Sequence, residues 1–254
     1  MCQTCGCGDP EIVPVEIHDK ILANNDRVAE HNREHFQEHG ILALNLMGSP
    51  GSGKTALLEA TSRALRGVRI GAISGDLATD NDAQRLRAVG IPSQSITTGS
   101  ACHLDAELVH RALHDVQLDD FDVFVIENVG NLVCPAIYDL GQAANVVALS
   151  VTEGEDKPLK YPVMFRKADL VVLTKCDLIP YLGVDVRVIQ AALAKVMPRP
   201  QMIPLSARTG EGLEKWLDWL ADRWKEGSRQ RATEAAHASV SQGSVSRGER
   251  SSAR

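Results

Sequence analysis

The chain has 254 residues, 44% apolar and 24% charged, with 27 Lys plus Arg against 33 Asp plus Glu and a formal net charge of −6. That is enough for one ordinary domain with a sizeable core, and it excludes a collagen, a mostly disordered chain and a small disulfide-stapled fold. Without a global basic field, neither nucleic acid nor a membrane is expected as a partner, so recognition must come from a site.

Residues 1–17 are a Cys-rich segment opening MCQTCGCGDP, with neither the basic nor the apolar stretch of a secretory signal. A cytoplasmic address is expected by default. In that reducing compartment Cys2, Cys5, Cys7, Cys102, Cys134 and Cys176 are read as metal ligands or buried thiols rather than disulfides. Residues 18–39 are polar and helical, with Ile21, Leu22, Val28 and Phe36 too sparse for deep burial; they read as a lead-in helix. Over residues 40–227 short apolar runs alternate with helical segments. ILALNLM (41–47), RIGAIS (69–74), DVFVIE (122–127), VVALSV (146–151) and DLVVLTK (169–175) read as buried strands, MIPLS (202–206) as a shorter one, and 54–65, 79–88, 103–116, 184–196 and 212–225 as helices. The longest run, 41–47, is broken by Asn45 and falls far short of the roughly 20 apolar residues of a membrane span. Repeated strand–helix units predict an α/β fold, a mostly parallel sheet flanked by helices on both faces. Residues 228–254 contain no Leu, Ile, Phe, Trp or Tyr and read as a disordered tail.

The first strand runs into Gly48-Ser49-Pro50-Gly51-Ser52-Gly53-Lys54-Thr55, a match to G-x-x-x-x-G-K-[ST] set between strand and helix, as a phosphate loop requires. Backbone N–H groups would cradle phosphate oxygens at a helix N-terminus, Lys54 would reach the β and γ phosphates, and Thr55 would ligate Mg²⁺. Glu127 ends the strand DVFVIE and is followed by Asn128-Val129-Gly130, where a G protein carries D-x-x-G. Glu127 is read either as a Mg²⁺-shell ligand or as the group that orients the attacking water, and Gly130 as the pivot toward the γ phosphate. Asp76, just after RIGAIS, is a second Mg²⁺ candidate; Asp80 and Asp82 are weaker ones, with helix capping the competing reading for Asp80.

Thr174-Lys175-Cys176-Asp177 resembles the guanine-reading N-K-x-D of GTPases, and Ser206-Ala207-Arg208 the S-A-K loop of the same proteins. A carboxylate at Asp177 would accept two hydrogen bonds from groups that adenine lacks, which favours GTP over ATP. Thr174 departs from the pattern, because a hydroxyl cannot offer both the amide donor and acceptor. An extra strand–helix–strand–helix stretch between Gly48 and Glu127 resembles the branch of GTPases that includes signal-recognition and metallochaperone members.

Cys2-x-x-Cys5-Gly6-Cys7 places three thiols in six residues, a donor set that favours Ni²⁺, Zn²⁺ or Cu⁺. Cys102 and His103 open the helix 103–116, and Cys134 follows Glu127 by seven residues, where a nucleotide-driven loop movement would carry a metal ligand. His31, His35 and His39 recur every four residues, able to chelate but read as a solvated face among Glu30, Glu34 and Glu38; His110 and His114 are read alike. Cys176 is assigned to packing and Lys157 to the surface.

Taken in order, M-C-x-x-C-G-C, GSPGSGKT, ACHLD, ENVGNLVCP, TKCDLIPY and PLSARTG closely resemble the HypB family of hydrogenase-maturation GTPases over residues 1–225. The resemblance implies a slow GTPase acting as a GTP-dependent homodimer, with tight nickel binding at Cys2, Cys5 and Cys7. It also implies a weaker nickel or zinc site at Cys102, His103 and Cys134, and transfer of nickel with a HypA-type partner to the [NiFe]-hydrogenase large subunit. The alternatives are a urease- or cobalamin-type metallochaperone GTPase, a passive nickel or zinc buffer with a vestigial nucleotide site, and a small-molecule kinase.

Overall fold

The computed structural model describes the backbone of residues 15–229 and the side chains of residues 22–229. The expectations placed on Cys2, Cys5 and Cys7 and on residues 230–254 lie outside that range. In chain order the elements are α1 (Val15–Glu38), β1 (Leu42–Met47), α2 (Lys54–Ala64), β2 (Ile70–Asp76), α3 (Asn81–Ala88), β3 (Ser93–Thr97), α4 (Ala106–Leu113) and β4 (Val123–Glu127). They continue with β5 (Ala144–Ser150), α5 (Lys157–Lys160), α6 (Pro162–Lys167), β6 (Leu170–Thr174), α7 (Ile179–Leu182), α8 (Val186–Val196), β7 (Met202–Pro204) and a last helix α9 over 213–229.

The strands form one sheet in the order β3-β2-β4-β1-β5-β6-β7, and every pairing is parallel. Because strand side chains alternate faces, Leu42, Leu44 and Leu46 of β1 pack with Leu57 and Leu58 of α2, Leu86 of α3 and Trp216 and Leu220 of α9. Ala43 joins Phe36 of α1, Val109 of α4 and Phe124 of β4 on the opposite face, and Val147 and Leu173 meet Phe165 of α6 and Leu193 of α8 farther along it. This double cover is why the strands read as continuous apolar runs. Trp216 is 2% exposed and its indole N–H donates to Thr61 Oγ1 at 2.8 Å, fastening α9 to α2. Trp216→Ala is expected to cost about 3–5 kcal/mol in urea unfolding, since it opens a cavity and removes the hydrogen bond that Thr61 Oγ1 accepts.

The structure departs from the sequence reading in four places. The strand β3, which is not among the six apolar runs, sits at the sheet edge and presents SQSIT, partly buried over Ser93–Ile96 and exposed at Thr97. An edge strand has too little surface covered to need an apolar run. The lead-in helix α1 is packed rather than peripheral: Ala29, Asn32 and Phe36 are buried. Asparagines that lower its apparent hydrophobicity hold it in place, Asn25 Oδ1 accepting from Ala106 N at 2.9 Å and Asn32 Nδ2 donating to Ala106 O at 3.0 Å and Leu140 O at 3.2 Å. The helix expected over 103–116 starts only at Ala106, because the Asp105 carboxylate caps it through Leu108 N at 2.8 Å, leaving Cys102 and His103 in the preceding loop. Finally, α9 continues through residues 228 and 229, which the sequence assigned to the tail. Among the described residues no helix is long and apolar enough to cross a membrane.

Candidate functional site: a nucleotide cleft joined to a thiol–imidazole cluster

The central strand β1 has β4 on one side and β5 on the other, so the chain changes direction across the sheet at its carboxyl edge, where open α/β sheets bind ligands. Residues 48–55 turn there into α2. Gly48 has φ 150°, and a Cβ at this position would overlap the Ala148 carbonyl oxygen and approach Ser52 Oγ to 2.7 Å, so the loop is built around its lack of a side chain. Lys54 folds back over the loop, Nζ donating to Gly48 O at 3.2 Å and Ser49 O at 3.3 Å. Burial lowers its pKa, opposed by the carboxylates of Glu127, Asp82, Glu153 and Asp76.

A cleft of about 460 Å³ beside the loop is lined by Lys54, Thr55, Asp76, Asp82, Glu127 and Gly130 among others. Thr55 Oγ1 lies 2.7 Å from Glu127 Oε1 and 2.9 Å from Asp82 Oδ1, but one hydroxyl proton cannot serve both fully. The second oxygen of Glu127 is buried without a partner. Burial pushes the Glu127 carboxyl up to about 7, against the lowering effects of the Thr55 hydrogen bond and the Lys54 charge. A hydroxyl between two carboxylates, one with an orphaned oxygen, is a hard all-oxygen donor set of the kind Mg²⁺ takes.

The acidic candidates are reordered by this geometry. Asp82, the weaker reading, faces Thr55 from the first turn of α3. Asp76 lines the cleft, but its Oδ1 accepts from Ala78 N at 2.9 Å and Thr79 N at 3.2 Å and so closes its own turn. Asp80 occupies the cap position of α3 without making the cap bond; it accepts instead from Gln84 Nε2 at 2.7 Å.

The segments 174–177 and 206–208, expected to read the base, converge on the same edge. Thr174 Oγ1 donates to Ser52 O at 2.5 Å, and Lys175, with φ 59°, donates from Nζ to Gly51 O at 2.6 Å, tying this loop to the phosphate loop. Asp177 Oδ1 accepts from Ser206 Oγ at 2.7 Å, which joins it to the 206–208 loop containing Ala207. Cys176 is buried, its thiol donating to Leu173 O at 3.0 Å and its pKa raised by burial, in keeping with packing. Lys157 lies over the Tyr161 ring, 5.2 Å from its centroid.

Cys102, His103 and Cys134 present three ligand atoms that all lie within 4.8 Å of one another. The sulfurs are 3.1 Å apart and Cys102 Sγ is 3.9 Å from His103 Nδ1. The His103 ring is stacked on Tyr138 at 4.0 Å, and burial lowers its pKa, favouring the neutral imidazole that ligates metals. Two thiols and an imidazole suit Zn²⁺ or Ni²⁺.

Two short segments connect this cluster to the nucleotide cleft. Gly130 packs on the phosphate loop so closely that a Cβ would lie 2.9 Å from Pro50 N, and Asn131 N donates to Gly48 O at 3.1 Å. Asn128, next to Glu127 and 1% exposed, accepts at Oδ1 from Leu104 N at 3.1 Å and Val129 N at 3.0 Å, while its Nδ2 donates to Asn45 Oδ1 at 3.1 Å. One carboxamide therefore spans from the strand end bearing Glu127 to the loop bearing Cys102 and His103. Sequence reasoning missed Asn128; its signal was Asn45, a polar residue inside an apolar strand that must have a buried partner.

The CobW/HypB/UreG nucleotide-binding domain matches residues 42–204. The hydrogenase maturation factor HypB of Azotobacter chroococcum is 50% identical over 219 residues, covering 86% of this chain and 71% of its own. That of Escherichia coli K12 is 50% identical over 81% of this chain and 71% of its own length. Among solved structures, Helicobacter pylori HypB in complex with nickel superposes with a TM-score of 0.76 at 40% identity, covering 80% of this chain and 96% of that one. Archaeoglobus fulgidus HypB gives 0.74 at 44% identity, covering 80% and 100%. With its phosphate loop, parallel sheet and thiol–imidazole cluster in place, the chain belongs to the CobW/HypB/UreG family and, within it, to the HypB hydrogenase maturation factors.

Proposed function

We propose that this chain is a GTP-hydrolysing nickel metallochaperone of [NiFe]-hydrogenase maturation, in which the nucleotide state governs a nickel site. The observation that carries the reading is Asn128, which bonds the segment after Glu127 to the loop holding Cys102 and His103. A change at the γ-phosphate position and a change at the metal loop would then bias one shared element. The nickel-bound relative supports nickel as cargo, and the thiolate–imidazole donors accept Zn²⁺ as well.

In this proposal Gly48, Ser49, Pro50, Gly51, Ser52 and Gly53 turn their backbone around the phosphates, and Lys54 takes the charge of the β and γ groups. Thr55, Glu127 and Asp82 hold Mg²⁺, with Asp76 at the margin of the same cleft; the ion supplies neutralisation of charge developing on the phosphates. Gly130, packed on Pro50, senses the γ phosphate. Asp177, braced by Ser206, reads guanine, while Thr174 acts on the phosphate loop and not on the base, which accounts for the hydroxyl in place of the usual amide. Cys2, Cys5 and Cys7 are proposed as a second, tighter nickel site. The chain works in the cytoplasm as a GTP-dependent homodimer, taking or passing nickel with a HypA-type partner and delivering it to the hydrogenase large subunit.

Cys134→Ala tests the coupling: any effect of nickel on the rate of GTP hydrolysis is expected to vanish while the metal-free rate stays unchanged. Asn128→Ala is expected to weaken the metal effect with Cys102, His103 and Cys134 still present. A nickel effect that persists in both variants overturns the link.

A further inference from the structure

Apart from the thiolate cluster, α1 and α4 bring four imidazoles onto one partly exposed face. Ring centroids are 4.5 Å apart for His31 and His35, 5.0 Å for His31 and His110, 6.2 Å for His35 and His110, and 4.7 Å for His110 and His114. His39, the last of the i, i+4 series, stands apart with Nδ1 2.6 Å from Asp119 Oδ1.

The nitrogens that face each other are informative. His31 Nε2 and His35 Nε2 are 3.2 Å apart. For a metal–nitrogen distance of about 2.1 Å that separation subtends about 100° at an ion, between the cis angle of an octahedral or square site and the tetrahedral angle. The other nitrogen of His31 lies 3.7 Å from Glu34 Oε2, near the carboxylate without a hydrogen bond to it. His110 is fixed more tightly. Asn32 is fully buried and gives its amide hydrogens to Ala106 O and Leu140 O, so the atom it turns to His110 Nδ1, 3.0 Å away, is an acceptor oxygen. His110 must therefore carry its proton on Nδ1, which leaves the Nε2 lone pair for a ligand. The His31 side chain is 53% exposed, and its ring centroid lies 5.0 Å from that of His110. Among the described residues only Cys102, His103 and Cys134 have three donors within 4.8 Å of one another, so an ion held by the three histidines would have to draw their rings closer together than they stand.

We propose that His31, His35 and His110 form a third metal site, for a borderline divalent ion such as Ni²⁺ or Zn²⁺, with His114 at its rim. The proposal does not rest on the nucleotide reading. It accounts for buried Asn32 on α1, whose side chain both pins the helix and sets the tautomer of the ring above it.

The test uses the full chain with Cys2, Cys5, Cys7, Cys102 and Cys134 replaced by Ser, titrated with Ni²⁺ alone by equilibrium dialysis. One equivalent is expected to bind. Adding His31→Asn with His35→Asn should abolish it, His110→Asn should weaken it at least about tenfold, and His39→Asn should leave it unchanged. Binding that survives the double substitution, or no binding in the parent chain, overturns the proposal. Should the Cys-free chain not fold, the unsubstituted chain serves: Ni²⁺ beyond the thiol-bound equivalents should broaden the imidazole NMR signals of His31, His35 and His110, and signals left sharp would refute the site.

Discussion

Lys54→Ala is expected to lower the rate of GTP hydrolysis by about 10²- to 10³-fold, the usual cost of removing one preorganised group that stabilises developing charge. The ammonium is fixed against the loop: it is buried and held by Gly48 O and Ser49 O, and burial lowers its pKa. A desolvated cation in a glycine-rich loop is worth far more to a phosphate than one in water. The same variant should keep its full nickel stoichiometry, because Cys102, His103 and Cys134 do not touch Lys54. The measurements are GDP release under saturating GTP and nickel bound per chain. Hydrolysis within a few-fold of the parent protein would make the phosphate loop vestigial and the passive-buffer reading the better one.

Glu127→Gln is expected to have opposite effects on catalysis and on stability. Hydrolysis should fall by about 10²- to 10³-fold, because an amide cannot replace the carboxylate among the oxygens around Thr55. Stability, measured by urea unfolding of nucleotide-free protein in a chelator, should rise at alkaline pH. Burial lifts the folded-state pKa of Glu127 from an ordinary 4.5 to about 7. Between those values the folded chain binds a proton that the unfolded chain has released. The stabilisation from the protonated acid is full below 4.5 and is lost as pH rises through 7, a change on the order of 3 kcal/mol. Glutamine imitates the protonated acid at every pH. The two proteins should therefore unfold alike near pH 4.5 and diverge by pH 8, with the variant the more stable. Parallel pH profiles would show that Glu127 ionises as an exposed acid does.

Most of the α/β frame could be read from the sequence because strands covered on both faces must be apolar throughout, as in 41–47 and 169–175. The phosphate loop was equally plain, since its glycines, Lys54 and Thr55 are fixed by local backbone geometry. What escaped depended on distant partners. The strand β3 lacks apolar character because only a neighbour on one side and thin cover hold it. Asp82 and Asp76 are both acids near a helix start, and only the fold shows that one faces Thr55 while the other closes its own turn. Asn25, Asn32 and Asn128 carry no signal of their own in the sequence, yet each is a buried carboxamide that bonds to residues at least 24 positions away. The histidine stripe is solvated as its spacing predicts, with His31 and His39 exposed among Glu30, Glu34 and Glu38; what the spacing does not show is that His110 of α4 and His114 at its end meet it, because they are remote in sequence from α1.

The central claim is that nucleotide and nickel are thermodynamically coupled, and nickel titration of the full chain loaded with GDP or with a non-hydrolysable GTP analogue tests it most directly, followed through thiolate-to-nickel charge-transfer absorbance. The account expects affinity or stoichiometry at the Cys102, His103 and Cys134 site to differ between the two states, and Cys134→Ala to erase the difference. Identical titrations in the two nucleotide states would contradict it.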